Sequence, residues 1–179
     1  GETMAVIALC QFDLTRCFGY PYTKDKGASL GAPLIDHLVG TYENPPRSTV
    51  AQAYDFIIET LEEAVTLMSE EKNNGRMNKY AARALLARIY LYHDDNRKAF
   101  DLADQLIKDA DTSGSYTLYP HEKYVAAWSV EAKFGSESFF EIANSVDDTP
   151  GRDSWGYLLN WYGYQKGFVT QKYAEQMLA

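Results

Sequence analysis

Between Asn144 and Tyr164 the chain reads NSVDDTPGRDSWGYLLNWYGY, with five aromatic rings set among Asn, Asp, Arg, Ser and Gly. Flat rings stack on apolar C–H faces, while carboxylate, amide and guanidinium groups bond hydroxyls as acceptors and donors. Together the two kinds of side chain suit a saccharide. The candidate ligand-binding residues are Trp155, Tyr157, Trp161, Tyr162, Asn144, Arg152 and Asp153. The competing reading is that some of these rings pack the segment onto a scaffold. Leu158 and Leu159 support partial burial, so Trp155 and Trp161 are not both expected in solvent.

Catalysis is not expected of this segment. Asp148 and Asp153 have the residue types of a glycosidase carboxylate pair, but nothing in the sequence fixes their separation or raises either pKa. Asp147, Asp148 and Asp153 have oxygen ligands of the kind calcium takes, yet their spacing matches no EF-hand. His37, His93 and His121 are scattered without ligand spacing. No Ser-His-Asp arrangement, phosphate loop or dinucleotide fingerprint is present. The expectation is therefore a non-catalytic protein with no metal and no cofactor.

Composition narrows the partner. The 179 residues are 46% hydrophobic, enough for one good core, and the expectation is one compact domain or a piece of a larger one. A net charge of −8 with no basic cluster argues against a nucleic-acid backbone. Aromatics are abundant at 14%, more than an alanine-rich helical core needs, and many lie outside helical stripes. Cys10 and Cys17, seven apart in one predicted helix, would sit about 10 Å apart, too far for a disulfide, and are expected as small core residues. No apolar run is long enough to span a bilayer, and no signal peptide, lipobox or acylation motif is seen. The chain starts and ends within helical patterns, so it is read as a fragment of a longer protein.

The elements that must position the aromatic segment centre on residues 78–107. Asn78 has the N-cap residue type, and Ala82, Leu85, Leu86, Ile89 and Tyr90 recur at helical spacing. After the turn signal His93-Asp94-Asp95-Asn96, Ala99, Leu102, Ala103, Leu106 and Ile107 repeat the pattern, which predicts an antiparallel αα-hairpin. Leu86-Ala87, Tyr90 and Ala99 match large, small, aromatic and small positions of a tetratricopeptide repeat. Arg83 stands where that repeat has Trp, Ala103 replaces a large aromatic, and no closing Pro follows. An ordinary antiparallel helix pair fits the spacing as well.

Further helices are predicted at 4–18 and 50–70, beside 79–93 and 96–110. In the first, Val6 or Ile7, Leu9 or Cys10, Leu14 and Cys17 are expected to face a core, and Asp13 can pair with Arg16 at i, i+3. Gly19 to Arg47 is read as a long irregular loop, since its Gly and Pro residues forbid a helix. Thr49 and Gln52 have the spacing of a capping box for the next helix. Ala53, Phe56, Ile57, Thr60, Leu61, Ala64 and Leu67 or Met68 form its inner stripe. Its acidic run is expected to be solvated. After Asp111, Tyr116–Tyr119 and Ser138–Ala143 read as short strands, with a helical turn around Tyr124–Val130 anchored by Trp128. The predicted organisation is thus all-α, with tetratricopeptide-like helix pairs over 1–111 and a loop-rich segment with short strands and the candidate ligand aromatics over 112–179.

The order of these pieces resembles the SusD/RagB family of outer-membrane nutrient-binding lipoproteins. The resemblance is carried by FDLTRCFG at 12–19 with YPYT at 20–23, Pro33-Leu34, RSTV at 47–50, Tyr54-Asp55 and IIETLEEA at 57–64. Most specific are Asn78-Lys79 and AARALLARIYLY at 81–92 with Lys98-Ala99; Tyr116-Thr117-Leu118 and Glu137-Ser138 to Glu141-Ile142 complete the set. The resemblance implies an α-α superhelix whose loops bind glycan. It further implies a lipid-tethered place at the cell surface of the outer membrane, with a SusC-like TonB-dependent transporter as partner. The lipid-bearing Cys region and later sequence are missing here, and ligand residues vary with the sugar, so none carries over by motif. The rival reading is an adaptor of tetratricopeptide type holding an acidic peptide in a groove lined by Lys79, Arg83 and Arg88. That reading leaves the long loop and the Asn144–Tyr164 segment unexplained.

Overall fold

The computed structural model describes the chain except for residues 73–74, 129–132, 143–146, 148–150, 155–156, 159–161, 164–169, 172–174 and 176–179. The chain divides into two compact units, Gly1–Glu141 and Ile142–Ala179. In the first, four helices run α1 Glu2–Phe18, α2 Val50–Leu67, α3 Lys79–Tyr92 and α4 Asn96–Ser113. The strands described are β1 Leu30–Pro33 and β2 Arg47–Thr49, paired antiparallel. The fold class is the predicted one: all-α helix pairs with a few short strands.

Each helix packs on the next in chain order. Gly1 lies against Ala64 and Met68 while Gly19 lies against Val50, so α1 and α2 run antiparallel. Lys79 meets Glu70 at one end of the next pair, and His93 meets Tyr54 at the other. Asp109, near the end of α4, bonds Arg83 near the start of α3. The result is a stack of successive antiparallel helices of the tetratricopeptide kind.

Local chemistry explains the helix ends. Thr49 Oγ1 accepts from Gln52 N at 3.1 Å, and Gln52 Oε1 accepts from Thr49 N at 2.9 Å, a complete capping box. The loop before α2 supplies further acceptors, since Val50 N donates to Ser29 O and Ala51 N to Gly27 O, both at 2.9 Å. Gly27, at φ +75°, makes this possible: a Cβ there would lie 2.6 Å from Ala51 N. Asn78 caps α3 by accepting from Ala81 N at 3.0 Å.

Phe12, fully buried, joins three helices by edge contacts to Tyr54 at 6.2 Å and Tyr92 at 5.3 Å. Around it α1 presents Ala5, Ala8, Gln11 and Thr15, not the expected Val6, Ile7, Leu14 and Cys17. Positions 5, 8, 12 and 15 share one helical face, and alanine there admits α2 closely. The larger aliphatics Val6, Ile7 and Leu14 are exposed, and so are both cysteines, contrary to expectation. Leu9 is half-buried against the core. The hairpin stripe of Leu86, Ala87, Tyr90 and Ala99 is buried as expected, while Ile107 is exposed.

Residues 116–141 depart from the prediction. Tyr116–Tyr119 and Ser138–Glu141 form no strands: among the described residues, one backbone bond, Thr117 N to Ser136 O at 3.1 Å, ties the first run to the turn before the second. Ala143 lies outside the described residues. Tyr116 instead plugs a second cluster with Tyr80, Leu106, Ala110 and Phe139. The predicted helical turn is two short 3-10 turns, His121–Lys123 and Ala126–Trp128. Trp128 is no anchor, being 76% exposed. No helix among the described residues is long and apolar enough to cross a membrane.

Candidate functional site

Of the seven predicted ligand residues, the structure describes Tyr157, Tyr162, Arg152 and Asp153. Asn144, Trp155 and Trp161 lie outside the described residues. Arg152 and Asp153 sit in the 3-10 turn Gly151–Asp153 and are both exposed. Gly151 takes a left-handed φ of 52°, and Ser154 N donates back to Gly151 O at 3.3 Å, which closes the turn. Ser154 Oγ then accepts from Tyr157 N at 3.1 Å, and Leu158 N donates to Ser154 O at 3.0 Å. Ser154 thus binds Tyr157, which is half-buried, through its side chain. Tyr162 is 91% exposed.

Among its described residues the segment offers a half-buried ring, an exposed ring, a guanidinium and a carboxylate. Asp147 is exposed, and Asp148 lies outside the described residues.

A concave feature that sequence reasoning missed lies in the first unit. A cavity of about 440 Å³ is lined by residues that include Tyr119, Tyr124, Trp128, Lys133, Glu137 and Glu141. Tyr124 and Trp128 meet edge to face at 6.1 Å and 74°. The signal in the sequence was the YxxxW spacing of 124–128, which places both rings on one side of a short turn but resembles a core anchor.

The cations of the adaptor groove are engaged within the chain. Arg83 Nη1 bonds Asp109 Oδ2 at 2.7 Å with its side chain only 12% exposed, and Lys79 pairs with Glu70 at 3.6 Å. Asp109 is correspondingly held below the usual carboxylate range, by Arg83 first and Gln105 second. Arg88 lies over the Phe12 and Tyr92 rings at 5.7 and 6.0 Å. Of the three, only Arg88 faces open solvent.

The long loop is fixed rather than loose at its base. Arg47 donates to the carbonyls of Gly31 at 2.7 Å, Leu30 at 2.9 Å and Phe18 at 3.2 Å. At the tip, the His37 ring bonds Asp36 at 2.6 Å and Glu43 at 2.7 Å, which raises its pKa, the Asp36 bond being the larger cause.

A family model for SusD-like proteins, described as starch-binding and associating with the outer membrane, matches residues 1–91. The chain belongs to this SusD-like family. Its scaffold is similar to a SusD superfamily protein of Bacteroides vulgatus, with 99% identity and a TM-score of 0.94 over 99% of this chain and 40% of that one. A sugar binding protein of the same organism, so described provisionally, has 41% identity and a TM-score of 0.84, over 92% of this chain and 37% of that one. A laminarin binding SusD-like protein has 25% identity and a TM-score of 0.65, over 87% of this chain and 32% of that one. The chain thus spans 40% or less of each of these structures. The comparison with curated proteins gives no match. The family match ends in α3, so it rests on the helical scaffold and not on the Asn144–Tyr164 segment.

Proposed function

We propose that the full-length protein binds glycan at the cell surface of the outer membrane and hands it to a TonB-dependent transporter of the SusC type, without chemically altering it. The observation that carries this reading is membership of a family described as starch-binding and outer-membrane-associated. The laminarin-binding relative supports a saccharide as the ligand class. Tyr157, Tyr162, Arg152 and Asp153, with Trp155, Trp161 and Asn144, supply rings and planar polar groups for that ligand. Membrane association would come through a lipid anchor on the longer protein.

The setting of Asp153 supports the non-catalytic part of this reading. General acid–base work needs groups held in a fixed geometry, whereas Asp153 is exposed on a short 3-10 turn. A glycan array with the full-length protein should give saturable binding to at least one oligosaccharide class, and the same glycan should stay intact on prolonged incubation. Turnover lost in Asp148→Asn or Asp153→Asn would contradict the non-catalytic part. An array with no binding would contradict the whole reading.

A further inference from the structure

The cavity beside Trp128 has the make-up of a second ligand site. Its volume of about 440 Å³ lies within the range of small-molecule pockets, roughly 300 to 1,000 Å³. One wall is aromatic: Trp128 is 76% and Tyr124 51% exposed, so both rings offer open surface instead of filling a core. Tyr119 closes that side, its hydroxyl accepting from Ser136 N at 3.1 Å.

The polar part of the lining is held in place by backbone. Glu137 Oε1 accepts from the Tyr119 amide, and Glu141 Oε2 accepts from the Phe134 amide at 2.9 Å. Each carboxylate is thereby oriented by one oxygen and has a second with which to accept a hydroxyl. Phe134 itself sits at a left-handed φ of 56°, an uncommon conformation for a bulky residue. The turn is clamped from behind, where Lys72 Nζ donates to Gly135 O at 2.7 Å. The wall is thus built in a fixed shape.

We infer that this cavity is a saccharide subsite, in which Trp128 stacks on a sugar ring with Tyr124 at its edge while Glu137, Glu141 and Lys133 bond its hydroxyls. The inference rests on the glycan-binding reading above and adds a site on the first unit, apart from the Asn144–Tyr164 residues. The charge pattern selects the ligand. Two carboxylates disfavour an anion, and the Lys133 ammonium in the same lining disfavours a cation. A neutral polyhydroxylated ring satisfies acceptors, donor and aromatic faces together.

The test uses the full-length protein labelled with 5-fluorotryptophan and a panel of neutral oligosaccharides: α- and β-glucans, xylans, mannans and galactans. The Trp128 fluorine resonance is assigned from Trp128→Phe. A panel member should shift that resonance saturably. Trp128→Ala or Tyr124→Ala should weaken that event by about tenfold or more, and Tyr42→Ala, at an exposed ring outside the cavity lining, should leave it in place. Binding by a panel member with the Trp128 resonance silent would overturn this inference and leave the proposed function standing. Failure of every member to bind would overturn both. A large fall in Tm for Trp128→Ala and Tyr124→Ala alike would also overturn it, because the rings would then be packing against the remainder of the protein.

Discussion

Asn78 shows how one side chain can join two parts of the scaffold. Its Oδ1 caps α3, while its Nδ2 donates to Tyr116 Oη at 2.7 Å and to Glu71 O at 3.3 Å. Both Asn78 and Tyr116 are buried, and burial raises the Tyr116 pKa despite the Asn78 bond. Asn78→Ala removes the cap and leaves the Tyr116 hydroxyl unpartnered in an apolar setting. The expected loss is about 2 to 3 kcal/mol, read from denaturant unfolding. A loss below about 0.5 kcal/mol would contradict the account. The cap was legible in the sequence from the Asn type at a helix start. The reach to Tyr116 was not, because 38 residues separate the partners.

A pH effect belongs to the same scale. His37 gains its raised pKa from Asp36 first and Glu43 second, and Glu43 is in turn lowered by the Gly40 amide and His37. A folded pKa above the ordinary value means that the pairs contribute stability fully below about 6.5, and lose it as pH rises through the folded pKa. NMR titration of the His37 ring should give a midpoint above 6.5, and Glu43→Gln should lower it. A midpoint at or below 6.5 in the native protein would show that the loop tip is open.

At the scale of elements, alanine sets the spacing of the helices. Ala87 is buried on α3, and Ala81 and Ala82 of the same helix share a core with Ala99 at the seam with α4. Ala87→Leu should overpack the buried face of α3 and cost about 1 to 3 kcal/mol. An unchanged Tm would mean that this face is looser than described. Helices α2 and α3 were readable because their caps and periodic stripes agree, and α4 from the stripe that follows the turn signal. The burial face of α1 was not, since its apolar residues run nearly all round, and small Ala5 and Ala8 rather than large Val6 and Ile7 turn inward. The extended runs at 116–119 and 138–141 have strand-like composition but no facing ladder, so aromatic plugging replaces hydrogen-bonded pairing. Neither β1 nor β2 was foreseen, as Gly31 and Pro33 hide the short strand within a turn-rich loop.

At the scale of the whole molecule, the helical stack identifies the family, and the loop-borne aromatics carry the proposed recognition. A rigid helical frame with ligand groups on its connections is a common division of labour. The composition of Asn144–Tyr164 was legible in the sequence, whereas the Trp128 cavity was not, because an isolated Trp on a short turn reads as an anchor until its exposure is known. The central claim is that rings in Asn144–Tyr164 bind sugar instead of filling a core, and an open ring such as Tyr162 can be cut back without leaving a cavity. The direct measurement is a glycan titration of the full-length protein paired with melting of Trp155→Ala, Tyr157→Ala, Trp161→Ala and Tyr162→Ala. At least one variant should bind tenfold or more weakly, about 1.4 kcal/mol, with Tm nearly unchanged. If each of the four either keeps its affinity or unfolds the protein, these aromatics are packing and the claim fails.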